Sequence, residues 1–125
     1  IMTMREDIVG VDVAMSQEQV FETVRGTNFS RLPVYEGDVD HIIGILPVRE
    51  YLRAYLRRGY VNLRRILLAP TFAAPDAAID DLFAAMSASK KQFVVVREDD
   101  RTVGIATIED FLEELVGEIG RGRRV

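Results

Sequence analysis

Thr107 and Asp110 are the residues of this 125-residue chain whose types and spacing best suit a polar ligand. They form a Thr-x-x-Asp pattern after an apolar stretch, so they are predicted to open a helix where a strand ends. Unpaired backbone N–H groups at a helix N-terminus suit a phosphate, and the Thr107 hydroxyl adds a donor. The Asp110 carboxylate suits the two hydroxyls of a ribose, and Gly104 lets the backbone approach a flat base.

The same pattern has a second interpretation as a helix cap. In a capping box, the first side chain accepts a hydrogen bond from the backbone three residues later, and the side chain there caps back. Thr107 and Asp110 come close to this arrangement. By themselves these four residues leave both interpretations open.

Residue types that carry catalysis or bind metals have little support elsewhere in the sequence. The chain has no cysteine and one histidine, His41, which lies in a predicted turn without a nucleophile partner. No phosphate-binding P-loop is present. Asp38 and Asp40 lack the further carboxylates of a calcium loop. We therefore predict no catalytic site and no metal site, and we expect that the protein is not an enzyme.

The composition is that of a soluble globular domain, with 48% hydrophobic and 29% charged residues. The formal net charge of −4 argues against binding to nucleic acid. The basic cluster at residues 121–124 is interpreted as a linker stub. Because no apolar run approaches the roughly 20 residues of a membrane span and no signal peptide is recognisable, we expect a soluble domain excised from a longer protein.

An internal repeat with an offset of about sixty residues organises the sequence. Residues 30–56 contain S-R-L-P-V-Y, a polar turn and I-I-G-I-L-P-V-R-E-Y-L, and residues 91–116 contain K-Q-F-V-V-V, a polar turn and T-V-G-I-A-T-I-E-D-F-L. The matched pairs are Gly44 with Gly104, Ile45 with Ile105, Val48 with Ile108, Tyr51 with Phe111 and Leu52 with Leu112. Two related halves are therefore expected, residues 1–60 and 61–125.

Each half is predicted to fold as strand, helix, strand, strand, helix, which makes the chain an α+β protein. The apolar alternation and the helical periodicity fix the elements, and Ser16 is a good N-cap for the first helix. Halves of this size bury too little alone, so they are expected to pack through their sheets with pseudo-twofold symmetry and one shared core. The predicted ranges are 8–13, 16–26, 31–35, 42–46 and 48–58, then 71–73, 77–88, 92–97, 102–106 and 108–119.

This repeat resembles the CBS domain, and its motifs resemble those of the CorC/HlyC (hemolysin-like) and cyclin M family of magnesium-cobalt transport proteins. S-R-L-P-V-Y at 30–35 is similar to the first CBS domain of that family, and M-T-M-R-E-D at 2–7 is similar to its entry segment, with Met4 where proline is usual. G-I-A-T-I-E-D-F-L-E-E-L-V-G-E-I at 104–119 matches the second domain along its whole length.

The resemblance implies a regulatory module that binds an adenine nucleotide, ATP or AMP, with any Mg²⁺ carried by the phosphates. It implies a soluble cytoplasmic part of an integral membrane protein, with a membrane domain before it and often a C-terminal domain after it. We also expect a homodimer. By match to the family, the nucleotide-binding candidates are Thr107, Asp110, Ile105, Thr3, Ser30 and Arg31, although Arg31 also fits a solvated charge at a strand end.

The first half departs from the family pattern. Pro47 stands where Thr107 stands in the second half and offers neither a hydroxyl nor an N–H. Glu50 stands where Asp110 stands and is one methylene longer, so a nucleotide is not expected there. The alternative function is a ligand-free structural dimerisation module. Apolar stripes on the last helix of each half are interpreted as core or dimer contacts: Tyr51, Leu52, Tyr55 and Leu56, and Phe111, Leu112 and Leu115.

Overall fold

The computed structural model describes residues 2–76, 81, 84, 86 and 93–107 of a mixed α/β protein. It divides into two compact units, one of residues 9–70 and one that joins residues 1–8 to residues 71–125. The described elements are β1 (Thr3–Met4), a 3-10 turn (Arg5–Asp7), β2 (Val11–Asp12), α1 (Gln17–Arg25), β3 (Arg31–Glu36), β4 (Asp38–Pro47), α2 (Val48–Arg58), α3 (Leu63–Ile66), β5 (Phe72–Ala73), β6 (Phe93–Glu98) and β7 (Arg101–Thr107).

The 9–70 unit contains a three-stranded sheet in the order β2-β3-β4. Strand β2 runs parallel to β3, and β3 pairs antiparallel with β4 across a turn at Gly37, whose φ of 89° suits glycine. One face of the sheet is covered by the apolar sides of the helices. The core residues are Val11, Val20, Val24, Leu32, Val34, Leu46, Tyr51, Val61 and Leu63.

Helix α1 begins with a capping box, as the sequence predicted for Ser16. The Ser16 hydroxyl accepts a hydrogen bond from the Gln19 N–H at 3.2 Å, and the Gln19 side chain accepts from the Ser16 N–H at 2.9 Å. Two orphan donors are satisfied in this way. The helix ends at Gly26 and buries Val20 and Val24.

Helix α2 begins and ends differently. Its N-cap is Pro47, which makes no side-chain hydrogen bond, and its C-cap is Gly59 in the left-handed conformation, with φ of 77°. Tyr51 is fully buried, whereas Leu56 is 79% exposed. The predicted apolar stripe is thus divided: Tyr51 belongs to the core of its own unit, and Leu56 faces solvent there.

The connector after α2 is packed against the 9–70 unit. The Gln17 side chain donates to the Val61 carbonyl at 3.0 Å and accepts from the Val61 N–H at 2.7 Å. Further along, Leu68 and Ile45 exchange two backbone hydrogen bonds of 2.9 Å each. The sequence did not predict α3, which lies between these two attachments and puts Leu63 into the core.

The second unit contains a four-stranded sheet in the order β1-β7-β6-β5. Strands β1 and β6 both pair antiparallel with β7, and β5 runs parallel to β6. The turn between β6 and β7 contains Asp99, with φ of 54°. Met86, Val94, Val96 and Ala106 form one buried cluster of this unit, and Phe93, Val95 and Ile105 are buried as well.

Most of the predicted elements that fall on described residues are present. The strands predicted at 31–35, 42–46, 92–97 and 102–106 and the helix at 48–58 are found, and β4 begins earlier, at Asp38. Of the helix predicted at 77–88, Asp81, Ala84 and Met86 are helical. Its other residues, and those of the helix predicted at 108–119, lie outside the described residues. No helix among the described residues is long and apolar enough to span a membrane.

Repeats and compact units do not have the same boundaries. The sequence divides at about residue 60, whereas residues 1–8, which open the first repeat, belong with the strands of the second repeat. The connector that opens the second repeat likewise belongs with the strands of the first. The predicted halves, their packing through the sheets and their shared core stay predictions.

Candidate functional site

Thr3, Ile105 and Thr107 are brought together at the pairing of β1 with β7. Thr3 is the direct cross-strand partner of Ile105, so both side chains lie on the same face of the sheet. Thr107 is two residues beyond Ile105 on the same strand and shares that face. Diagonal neighbours of this kind lie about 7–8 Å apart, so two hydroxyl side chains flank one apolar side chain on a single surface.

Arg5 holds the segment that carries Thr3. Its Nη1 donates a hydrogen bond to the backbone carbonyl of Thr102 at 3.0 Å. Because Arg5 directly follows β1 and Thr102 lies on β7, this contact fixes the segment beyond the two residues of β1. No local sequence pattern predicts this role, since the acceptor is a backbone atom of a distant residue.

Thr107 is the last residue of β7 and is half-buried, opposite Phe93 of β6. The described strand thus reaches one residue beyond the predicted strand end at Ala106, and the helix predicted to follow it lies outside the described residues. Asp110 lies outside the described residues. Both interpretations of Thr-x-x-Asp, nucleotide site and helix cap, accordingly stay predictions.

Ser30 and Arg31 lie in the 9–70 unit, at the start of β3. The Ser30 carbonyl accepts from the Val48 N–H at 3.0 Å, which ties the start of β3 to the start of α2. Arg31 is half-buried and is the cross-strand partner of Pro47. Within the described part of the chain Arg31 makes no ion pair, and the roles of Ser30 and Arg31 in a site stay predictions.

The corresponding corner of the first repeat is built from apolar residues. Leu68 bridges Ile45 in antiparallel fashion, much as Thr3 pairs with Ile105 in the other unit. Pro47 ends β4 and is buried. Leu68 and Pro47 thus stand where the second unit has the hydroxyls of Thr3 and Thr107, and Glu50 is exposed in the first turn of α2. The sequence predicted the loss at Pro47 and Glu50 but not at Leu68.

The side chains at the β1–β7 corner are of types that can bind a polar ligand. Hydroxyl groups donate and accept hydrogen bonds with phosphate and ribose oxygens, and Ile105, the apolar residue beside them, is buried. No cluster of three or more His, Cys, Asp or Glu side chains suited to a metal ion exists among the described residues.

A cavity of about 280 Å³ lies away from this corner, in the 9–70 unit. It is lined by residues of α1 and the connector, among them Gln17, Tyr60 and Asn62. None of the predicted site residues lines it. The side-chain amide of Gln17 is already bonded to the Val61 backbone.

Comparison with known proteins finds the CBS domain twice along the chain. The family model for the CBS domain matches residues 1–57 and residues 59–117. Hemolysin C of Rickettsia prowazekii (strain Madrid E) is 30% identical over 121 residues, which cover 95% of this chain and 40% of that protein. The chain therefore spans well under half the length of this relative.

Two solved structures resemble the chain and contain nucleotides. The CBS domain of a bacterial CNNM/CorC family Mg²⁺ transporter in complex with ATP is 30% identical, with a TM-score of 0.83 over 94% of this chain and 84% of that one. A CBS-domain pair with bound AMP from Klebsiella pneumoniae is 25% identical, with a TM-score of 0.83 over 93% of this chain and 94% of that one.

Proposed function

Because the chain belongs to the CBS domain family, we propose that it is a regulatory module that binds an adenine nucleotide, ATP or AMP. The nucleotide occupies the corner formed by β1, β7 and the residues after Thr107. The observation that carries the proposal is the pairing of Thr3 with Ile105, which puts two hydroxyls and an apolar side chain on one face directly before the Thr-x-x-Asp pattern.

The residues present fit such a ligand. We assign to the Thr107 hydroxyl a hydrogen bond donated to a phosphate, and to Asp110 the ribose hydroxyls, an acceptor role that suits a carboxylate. Ile105 offers contact to the base. Ser30 and Arg31 stay candidates by resemblance to the family, Arg31 for the positive charge that it would supply to phosphates. Any Mg²⁺ arrives with those phosphates, whose oxygens are ligands that the ion prefers.

Similar proteins support the same proposal. The two structures described above contain ATP and AMP in CBS domains of the same type. The first repeat of this chain has Pro47 and Leu68 in place of the two hydroxyl residues, so we assign one nucleotide, not two, to each chain.

The role in a larger protein rests on its relatives. We propose that the chain is the cytoplasmic regulatory part of a CorC-like membrane protein involved in magnesium or cobalt transport, with a membrane domain and a C-terminal domain as its partners. Regulation requires that the nucleotide bind one arrangement of the module more tightly than another. The proposal assigns no catalytic step and no nucleic-acid partner to the chain.

Isothermal titration calorimetry with AMP, ADP and ATP, each with and without Mg²⁺, tests the proposal. We expect saturable binding of at least one nucleotide at one site per chain. An effect of Mg²⁺ confined to ADP and ATP would place the ion on the phosphates. Absence of binding by all three nucleotides contradicts the proposal and favours the alternative, a ligand-free dimerisation module.

A further inference from the structure

Gly104 lies on β7 opposite Met4 of β1. A Cβ atom at this position would lie 2.5 Å from the Thr3 carbonyl oxygen and 3.0 Å from the Met2 sulfur. A carbon atom does not approach a backbone oxygen so closely, and the Thr3 carbonyl moves only if the strand moves. From its sequence, Gly104 was expected to make room for a base, but the space that a side chain would fill is occupied by the β1 backbone.

Strand β1 pairs with β7 over a short length. The strand is two residues long, and its register is given by two pairs, Thr3 with Ile105 and Met4 with Gly104. Beyond the strand, Arg5 bonds to the Thr102 carbonyl. Because β1 is only two residues long, an added methyl group at Gly104 would be accommodated by a shift of β1 while the longer pairing of β6 with β7 remains.

We propose that Gly104 is a positioning residue for the nucleotide site: its missing side chain sets the distance from Thr3 on β1 to Thr107 on β7. The inference rests on the proposed function, because it assumes that both hydroxyls face the same ligand. Arg5 also fixes the position of Thr3, through its hydrogen bond to the Thr102 carbonyl. Neither residue needs to touch the nucleotide.

Gly44, the matching glycine of the first repeat, provides a matched control. A Cβ atom at Gly44 would lie 2.8 Å from Cβ and Cδ1 of Leu67, so an added methyl group is crowded here as well. The neighbour, however, is a side chain of the connector, and the corner beside it has Pro47 and Leu68 in place of hydroxyl residues. Gly44→Ala therefore reproduces the crowding without disturbing the placement of Thr3.

The test compares ATP affinity, melting temperature and amide hydrogen exchange in the wild type, Gly104→Ala and Gly44→Ala. We expect Gly104→Ala to weaken ATP binding by about tenfold or more, the equivalent of 1.4 kcal/mol or more. In the same variant, amide exchange should accelerate at whichever of Thr3 and Met4 donates its N–H to β7. Gly44→Ala should bind ATP with an affinity within about twofold of wild type, a difference well below one tenfold step. Its melting temperature should nevertheless fall about as far as that of Gly104→Ala.

Each result has a distinct meaning. If the wild type binds ATP and Gly104→Ala binds it equally well, the inference is overturned and the proposed function stands. The inference is also overturned if both glycine variants lose affinity in proportion to their lost stability. If the wild type binds no nucleotide, the proposed function fails, and unchanged exchange at Thr3 and Met4 in Gly104→Ala would then show that Gly104 does not hold β1 either.

Discussion

The buried hydroxyl of Tyr51 destabilises the 9–70 unit. It is fully buried, and its hydroxyl has no hydrogen-bond partner among the described residues. A buried polar group without a partner costs about 1–3 kcal/mol. We expect Tyr51→Phe to raise the free energy of unfolding in urea by an amount in that range. Tyr60, which is 56% exposed, supplies the control, because a hydrated hydroxyl is removed at little cost in Tyr60→Phe.

The same hydroxyl predicts how stability changes in alkali. Burial, and secondarily the neighbouring Tyr55, raises the pKa of Tyr51 from 10.0 to about 12. The Tyr51 hydroxyl of the folded state therefore keeps its proton at pH values where that of the unfolded state has lost it. The stability linked to this proton is fully present below pH 10 and is lost as the pH rises towards 12. Urea titrations between pH 10 and 12 should show a steeper loss in the wild type than in Tyr51→Phe. Parallel curves for the two proteins would contradict the prediction.

Asp110 is the residue whose loss should reduce nucleotide binding most directly. Hydrogen bonds from a ribose to a carboxylate contribute about 1.5–3 kcal/mol, so Asp110→Ala should weaken adenine-nucleotide affinity by roughly ten- to a hundredfold in calorimetry. The melting temperature must be followed separately, because loss of a helix cap costs about 1 kcal/mol. Glu50→Ala removes one carboxylate from the matching position and should leave binding unchanged. Wild-type affinity in both variants would place the ligand elsewhere.

Among the elements, α1, α2 and the strands β2 to β7 were predicted, including the two-residue strands β2 and β5, whereas β1 and α3 were not. Strands β6 and β7 are apolar runs bounded by acidic turn residues, and α2 has one apolar side that ends at Gly59. Local patterns of this kind suffice to define an element. Strand β1 and helix α3 are two and four residues long. Their conformations depend on partners remote in sequence, which no local pattern encodes.

The candidate site was predictable to a similar degree. The spacing of Thr107 from Asp110 identifies the site in the second repeat. Pro47 and Glu50, at the matching positions, indicate that the first repeat has lost it. Leu68 and Arg5 were missed, because their importance comes from the pairing of each entry segment with a strand of the other repeat. A resemblance of motifs identifies which side chains to consider. Backbone pairing decides which of them share a face.

For the whole molecule, we predict a homodimer that uses the helix carrying Tyr51–Leu56 together with residues 111–115. Leu56 is 79% exposed in the described structure, and covering a leucine side chain is worth about 1.5–3 kcal/mol. Leu56→Asp should therefore raise the dissociation constant of the dimer by at least about tenfold in analytical ultracentrifugation.

Phe29 supplies the control for that measurement. It is a second exposed apolar side chain, 49% exposed, and it lies in the loop before β3 and not on α2. Phe29→Asp should leave the dissociation constant as in the wild type when no nucleotide is added. Equal effects of the two substitutions would show that added charge, and not the α2 surface, governs association. A wild type that remains monomeric at high micromolar concentration would contradict the predicted homodimer.

The discontinuous unit imposes an order on synthesis. The 9–70 unit is one stretch of chain and is complete when residue 70 has been made, whereas residues 2–8 find their partners only when β7 follows. Arg5 is separated from its acceptor, Thr102, by 97 residues, which at roughly 5–20 residues per second corresponds to a delay on the order of 5–20 s on the ribosome. During that interval the nascent entry strand, and with it Thr3, has no β7 to pair with, so the β1–β7 corner forms only after the whole 9–70 unit has been synthesised.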